Sequence, residues 1–486
     1  MAVVAGAGSG KTRVLIERST NIIESSANAI DHILIITFTE KAASELTLRL
    51  KNKMGRKYLS RISSAWISTF HAFCARILRM YAPVVSLDPS FDIIDENAAK
   101  LLTEKSIEEC FLNFLDNNDE DAALMVEDLE YNNAISLLSE LMDFRWHADA
   151  LQRGDDKLLR AALNVHSKIK THYLSQLTIG NSLDFQEIEM KTLELLEKHN
   201  DVLLELQKKF KHILVDEYQD TNDIQAKLVT LLFNPKRNHL FIVGDPRQSI
   251  YRFRGANVSC FANTVDLILA NKGEVTVLSD NFRSGEDIVL LANKIAKPLN
   301  HKSLSDSAEL IARSENNGTP SLLTLSCKHD RKTNISEKRK IEAEAIAAYI
   351  DDIVQNENVK YGDIAMLFQA ITASEIYETA LRNASIPARV YGGRFLLERT
   401  EVTDLLAALS FSSDQTNDTA LITLVRSPLI GLSDDDCVIL AGESGKDFRK
   451  NVMDHPKANP LLSFLANAKK HRAPSEIFQA VLDLTG

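Results

Sequence analysis

The sequence predicts an α/β protein built on a parallel sheet, and three observations carry that expectation. Short apolar runs rich in Val and Ile recur between polar or turn residues: Ala2–Ala5, 33–39, 212–217, 240–245 and 275–279. Helical stretches follow several of them, the pattern of strands buried on both faces. Between the second and third runs, residues 95–207 repeat apolar side chains at a spacing of three to four, as in 98–115 and 134–144, which reads as a helical insertion into the first sheet domain.

The first run leads into a glycine-rich turn and then a helix over 13–24. After Asn281 a helix over 288–298 gives way to a polar stretch, 303–320, whose Asn316-Asn317-Gly318 marks a loop. Strand and helix signals then resume: a strand at 321–326, a helix at 336–355, a strand at 363–369, a helix at 373–384 and a strand at 388–391. That series is a second α/β domain, and from about residue 411 the signals are helical and weaker.

Length and composition fit a soluble globular chain of several domains. The 486 residues are 45% hydrophobic and 25% charged, too many for one core. The five cysteines (Cys74, Cys110, Cys260, Cys327, Cys437) form no CxxC pair, which argues against a zinc site, an iron–sulfur cluster or a disulfide framework and fits a reducing cytoplasm. No apolar run approaches the roughly 20 residues that cross a bilayer, and the opening residues lack a signal peptide's basic leader. The net charge of −11 leaves a nucleic-acid partner open, because such binding depends on a local basic stripe.

The strongest chemical signal is Ala5-Gly6-Ala7-Gly8-Ser9-Gly10-Lys11-Thr12, placed between a strand and a helix. There, backbone N–H groups can cradle phosphate oxygens at a helix N-terminus, Lys11 can reach the β- and γ-phosphates, and the Thr12 hydroxyl can hold Mg²⁺. Ala5 stands where the strict pattern has glycine. A phosphate loop needs a carboxylate for its metal, and the run 212–217 ends in Asp216-Glu217. Asp216 is placed to hold Mg²⁺ through water, and Glu217 to orient or deprotonate the attacking water.

Longer motifs then narrow the family. Residues 216–221 (DEYQDT) and 243–256 (VGDPRQSIYRFRGA) resemble motifs II and III of UvrD/Rep-type superfamily 1 DNA helicases. Residues 37–46 resemble motif Ia, 68–73 the next DNA-contacting motif, and 278–284 motif IV. Leu183-Asp184-Phe185 resembles a short signature before motif II, and 390–395 with 401–406 a segment late in the second motor domain. The order and spacing match from about residue 2 to residue 430. The Pro246-Arg247 pair and the string Arg252-Phe253-Arg254 are closer to the exonuclease V beta-chain and AddA-type helicase–nucleases.

This resemblance implies a RecA-like P-loop NTPase motor domain over 1–94 and 208–290, interrupted by the helical insertion 95–207. A second α/β domain follows over 291–410, and a partial helical accessory domain over 411–486. It implies ATP and Mg²⁺ as cofactors and 3′→5′ movement on single-stranded DNA or a 3′-tailed duplex in repair or recombination, with a nuclease or helicase subunit as a further partner. Gln248 matches a sensor of the γ-phosphate, Arg283 an arginine on the transferring phosphate, and Phe282 an aromatic that stacks on adenine. Phe38, Tyr251 and Phe253 match aromatics presented to successive bases, Phe253 standing where many relatives carry tryptophan. Thr37, Thr69 and His71 fall in the DNA-side motifs, and Lys41 and Arg254 lie where they can neutralise phosphates. The basic run 328–340 reads instead as a solvated loop.

Compared with the family, a glutamine motif upstream of Ala5 and motifs V and VI beyond Gly486 are expected but not found, so the chain is expected to be a fragment of the motor. Two other readings stay open: a non-catalytic module that binds ATP and DNA and works through a partner subunit, and an unrelated phosphate-loop ATPase in which Phe38, Tyr251 and Phe253 share no groove.

Overall fold

The computed structural model describes residues 1–26, 29–55, 58–145, 148, 151, 156–297, 309–314, 334–357, 359–391, 399–442, 448–468 and 473–485. The chain divides into two compact units, Met1–Ser321 and Leu322–Gly486.

The first unit is organised by a six-stranded, all-parallel sheet in the order β3-β2-β6-β7-β1-β8. Its strands are β1 (Ala2–Ala5), β2 (Ile33–Thr37), β3 (Trp66–Thr69), β6 (His212–Val215), β7 (His239–Gly244) and β8 (Val275–Leu278). Five of these were expected. Trp66–Thr69 was not, because a four-residue edge strand ending in Ser68-Thr69 shows almost no apolar run. The central strands are hydrophobic on both faces because helices cover both. On one face, α1 (Lys11–Ser25) and α2 (Glu40–Met54) bury Leu15, Ile16, Leu46 and Leu50 against Val3, Ile35 and Phe241. On the other, α4 (Phe70–Met80) and several later helices meet Val4, Leu34 and Ile242. A short α3 (Leu59–Ser64) lies between α2 and β3.

The segment expected as a helical insertion contains α5 (Glu96–Asp116), α6 (Glu120–Leu129), α7 (Tyr131–Asp143) and α8 (Lys157–Ile179), which share a core of their own around Phe111, Met125, Leu138 and Tyr173. Two details differ from expectation. A two-residue strand β5 (Ser182–Leu183) pairs in parallel with β4 (Asp92–Ile93), tying the base of this helical cluster together. The last two helices of the stretch, α9 (Phe185–Lys198) and α10 (Asn200–Lys209, which runs past the expected end at 207), bury Ile188, Leu196 and Leu206 in the core beneath the sheet, not in the helical cluster. Their 3.6-residue period was legible; the body they pack against was not.

After β6 come α11 (Asp223–Leu232) and, beyond β7, α12 (Val258–Ala270). Then β9 (Asp280–Asn281) pairs with β10 (Ile311–Ala312), and α13 (Glu286–Ala296) is tied to that pair by Asn293, whose side-chain amide bonds both backbone groups of Leu310. The expected domain start at 291 therefore falls inside the first unit.

In the second unit α14 (Ile335–Asn356) packs on α15 (Ser374–Asn383) through Ala343, Ala347, Tyr377 and Leu381. Helices α16 (Thr400–Ser413), α17 (Asp418–Arg426), α18 (Asp434–Ala441), α19 (Phe448–Met453), α20 (Asn459–Ala468) and α21 (Pro474–Thr485) surround Phe411, Leu424, Leu462 and Val481. The strands expected at 363–369 and 388–391 are not formed among the described residues. A strand needs a ladder partner, and residues 364–368 find none among the described residues, where Leu367 is 94% exposed. The expected strand 321–326, most of the loop 303–320, the glycines of 390–395 and the first half of the basic run 328–340 lie outside the described residues. No helix among the described residues is long and apolar enough to cross a membrane.

Candidate functional site

Because the sheet is parallel, the loops leaving its strands gather along one carboxyl edge, where open α/β sheets bind ligands. The loop after β1 is the glycine-rich turn. Gly8 and Gly10 take left-handed backbone angles (φ 74° and 90°), which a residue with a Cβ resists, and Ser9 closes the turn by donating its hydroxyl to the Gly6 carbonyl at 2.7 Å. Gly10 caps α1, so Lys11 and Thr12 sit in that helix's first turn with its free N–H groups. Ala5 ends β1 fully buried.

Lys11 carries the two contacts that define the site. Its ammonium lies 3.1 Å from Glu217 Oε2, at the end of β6, and donates to Gln248 Oε1 at 2.9 Å, beyond β7. Gln248 in turn donates to Asp245 Oδ2 at 2.7 Å. Gln219 closes the circuit: it donates to Glu217 Oε2 (2.8 Å) and accepts the Asp245 N–H (2.9 Å), while its carbonyl accepts the Ser249 hydroxyl at 3.0 Å. Three neighbouring strands thus converge on one lysine.

Asp216 is 7% exposed, and the Glu217 N–H donates to its Oδ1 at 3.0 Å. Burial, and then the adjacent Glu217 charge, push its carboxyl up to about 6. Asp220, buried nearby, is pushed up to about 6 for the same reasons. Glu217 itself adopts a left-handed backbone (φ 46°), a strain of the kind that functional sites retain. Two adjacent carboxylates facing a single ammonium leave negative charge uncompensated, and the hard oxygen donors Asp216 and Thr12 suit a divalent cation such as Mg²⁺. The residues present fit the metal.

The motif after β8 lies against the glycine-rich loop. Asn281 donates its side-chain amide to the Ala7 carbonyl at 2.7 Å, and the Phe282 N–H bonds the Gly8 carbonyl at 3.0 Å. A Cβ on Gly8 would meet Arg283 Cβ and Asn281 Nδ2 at 2.8 Å. Arg283 is exposed, and among the described residues its guanidinium makes no ion pair. A cavity of about 1010 Å³, lined by Gly8, Ser9, Gly10, Arg13, Asp280 and Phe282, opens beside the loop. A mostly exposed aromatic ring and a phosphate cradle on one cavity fit a nucleotide.

The residues expected to contact DNA form a second group. Phe38 and Tyr251 have ring centroids 4.9 Å apart, and Tyr251 and Phe253 5.9 Å, so three rings from two loops run in series. Phe253 is 71% exposed, and the Arg254 guanidinium lies 5.8 Å from the Tyr251 ring centre. Lys41 is exposed on the first turn of α2. Two threonines are placed otherwise. Thr37 is buried with its hydroxyl on the Thr39 carbonyl at 3.1 Å, and Thr69 caps α4 while donating to Glu40 at 2.7 Å. Both shape the loops; neither offers a free hydroxyl. His71 faces Glu189.

Gln219, Asp245 and Asn281 were not singled out from the sequence. Each lay inside a quoted motif, but amide side chains that bridge loops carry no chemical signature of their own.

A glycine-rich loop at a helix N-terminus, met by an acidic pair from a neighbouring parallel strand, defines a phosphate-loop nucleotide-binding protein. The chain belongs to the UvrD/REP helicase family. Residues 1–267 match the UvrD/REP helicase N-terminal domain and residues 276–463 the UvrD-like helicase C-terminal domain. Relatives include the ATP-dependent DNA helicase PcrA of Leuconostoc citreum, 31% identical over 430 residues, covering 88% of this chain and 53% of that protein. DNA helicase II of Haemophilus influenzae is 31% identical over 433 residues, 89% of this chain and 55% of that protein. The ATP-dependent DNA helicase UvrD1 of Mycobacterium leprae is 32% identical over 462 residues, 92% of this chain and 55% of that protein. The chain thus spans about half the length of the curated relatives it matches.

Proposed function

We propose that this chain is the nucleotide-binding and strand-gripping part of an ATP-driven DNA helicase that moves 3′→5′ along single-stranded DNA. The observation that supports the reading best is the position of Gln248. Its side chain bonds Lys11, and the loop bearing it continues within a few residues to Tyr251 and Phe253. One loop therefore touches both the phosphate cradle and the aromatic series, which is the link a translocating motor requires.

In this reading Lys11 leaves Glu217 and Gln248 to neutralise the β- and γ-phosphates. Thr12 and Asp216 hold Mg²⁺, which would polarise the phosphate oxygens and offset their charge. Glu217 orients the attacking water, Gln248 reports the γ-phosphate, Arg283 stabilises charge on the transferring group, and Phe282 packs on adenine. Phe38, Tyr251 and Phe253 stack on bases without regard to sequence, while Lys41 and Arg254 neutralise phosphates. The substrate class is a single strand or a 3′-tailed duplex, the setting repair or recombination in the cytoplasm, and a nuclease or helicase subunit is a further partner.

Phosphate release measured with and without oligothymidylate tests this. Strand-stimulated release that Lys11→Ala abolishes is the expected result; no nucleotide binding by the wild-type chain would refute it.

A further inference from the structure

Outside the nucleotide site, the Glu189 carboxylate is buried among three polar side chains. Glu189, on α9, is 2% exposed. Its Oε1 lies 3.1 Å from His71 Nε2 and accepts Gln225 Nε2 at 2.6 Å, and its Oε2 accepts Asn222 Nδ2 at 3.0 Å. Asn222 and Gln225 are neutral amides that form the capping box of α11, two residues beyond Asp220. Among these hydrogen-bond partners His71 is the one able to carry positive charge. A buried carboxylate with no cationic partner is costly, so the arrangement favours imidazolium at position 71.

His71 sits at the carboxyl edge of the sheet, just past β3. It lies in the first turn of α4, its ring packs on Phe185 with centroids 4.5 Å apart, and its side chain remains 39% exposed. Glu189 occupies Nε2, which leaves Nδ1–H as the ring's remaining donor. The charged groups that act most strongly on the ring are acidic: Glu189 from α9, Glu96 from α5 and Glu40 from α2. Burial by itself lowers the imidazole pKa, but the bond to Glu189 and these three charges outweigh it, so the pKa is raised; that of Glu189 is lowered through the same pair.

We propose that Glu189 is a positioning residue for strand binding: it holds His71 as an imidazolium whose Nδ1–H donates to a backbone phosphate of single-stranded DNA. This rests on the strand-binding reading above and adds its regulation by pH. The ring is charged below its raised pKa and neutral above it, so the strand is held more tightly on the acidic side and released as pH rises. Because the same carboxylate bonds the cap of α11, it also joins the loop after β3 to the segment leaving the acidic pair.

Fluorescence anisotropy with labelled oligothymidylate tests this, run from about pH 6 to about pH 9 at fixed low salt on wild type, Glu189→Gln and His71→Gln. Wild-type affinity should fall roughly three- to tenfold across the His71 titration, the scale of one lost phosphate contact. Glu189→Gln should move the midpoint to lower pH, and His71→Gln should flatten the profile. The midpoint of the His71 ring, read by NMR, should move with it in Glu189→Gln. A wild-type profile retained by His71→Gln overturns the proposal, and because His71 is partly exposed that variant decides even if Glu189→Gln does not fold. An unmoved midpoint in folded Glu189→Gln overturns it as well. Strand binding without a pH step sinks this inference alone, whereas no strand binding at any pH sinks the strand-binding reading with it.

Discussion

The Lys11 ammonium lies 3.1 Å from Glu217 Oε2, and the two side chains hold each other across the phosphate cradle. In this arrangement the lysine that would meet phosphate is engaged by the carboxylate that would activate water, so nucleotide must exchange one partner for another. Lys11→Ala should therefore abolish nucleotide binding measurable by calorimetry. Glu217→Gln keeps the size of the side chain but relaxes the ion pair. It should bind nucleotide at least as tightly as wild type while losing turnover by about two to three orders of magnitude. Equal binding by wild type and Lys11→Ala would remove Lys11 from the site.

Asp216 gives a stability test with a defined sign. Its carboxyl is raised to about 6 by burial and by Glu217, so between about pH 4 and about pH 6 the folded protein holds a proton there that the unfolded chain has lost. Ionised Asp216 thus destabilises the metal-free protein above about pH 6, and the penalty fades as pH falls towards the ordinary carboxylate range. Asp216→Asn should raise the melting temperature in chelator at pH 8, by on the order of 1–3 kcal/mol of stability, and bring it closer to wild type near pH 4. It should also remove any stabilisation by added Mg²⁺. A melting temperature lowered at pH 8 would show that the carboxylate is compensated as the fold stands.

Phe38, Tyr251 and Phe253 predict a separation of grip from stability. Phe253 is 71% exposed, so Phe253→Ala should leave the melting temperature nearly unchanged. It should weaken binding to single-stranded DNA by on the order of 1–3 kcal/mol, and Tyr251→Ala should do so by a similar amount. Unchanged anisotropy titrations in both variants would assign the rings to packing.

How much of this was legible in the sequence depends on whether a residue's role shows in its own chemistry. Gly8 and Gly10 were readable because phosphate loops need backbone that only glycine adopts readily, and Asp216-Glu217 because a phosphate loop needs a carboxylate for its metal and this pair ends an apolar strand in the same chain. Val3, Ile35 and Ile242 marked their strands through runs buried on both faces. Trp66–Thr69 had too few apolar residues to announce an edge strand. Gln219 and Asn281 act through amides that bridge loops, and only the folded topology shows which loops meet. Leu196 and Leu206 displayed helical period, but periodicity does not say that they pack beneath the sheet.

A buried carboxylate joins the helical cluster to the helices beneath the sheet. Asp184 is buried at the N-cap of α9 and accepts Arg145 Nη2 and the Tyr173 hydroxyl, each at 2.5 Å, and the Glu187 N–H at 2.7 Å. Arg145 is equally buried, its guanidinium 4.8 Å from the centre of the Tyr173 ring. Burial pulls the guanidinium's pKa down, but the Asp184 charge more than reverses this; the Tyr173 hydroxyl is pushed up by burial and by the same carboxylate. One carboxylate therefore caps α9, neutralises a buried cation and anchors a hydroxyl from α8. Removing one partner of a buried pair costs about 3–5 kcal/mol, and losing an N-cap about 1 kcal/mol more. Asp184→Ala should lose stability on that scale in urea unfolding. Asp184→Asn retains the cap and a partner for Tyr173, so it should lose somewhat less. Arg145→Met leaves the Asp184 charge buried without its cation and should itself lose about 3–5 kcal/mol. Equal unfolding midpoints for Asp184→Ala and wild type would show that the cluster adds nothing to the fold.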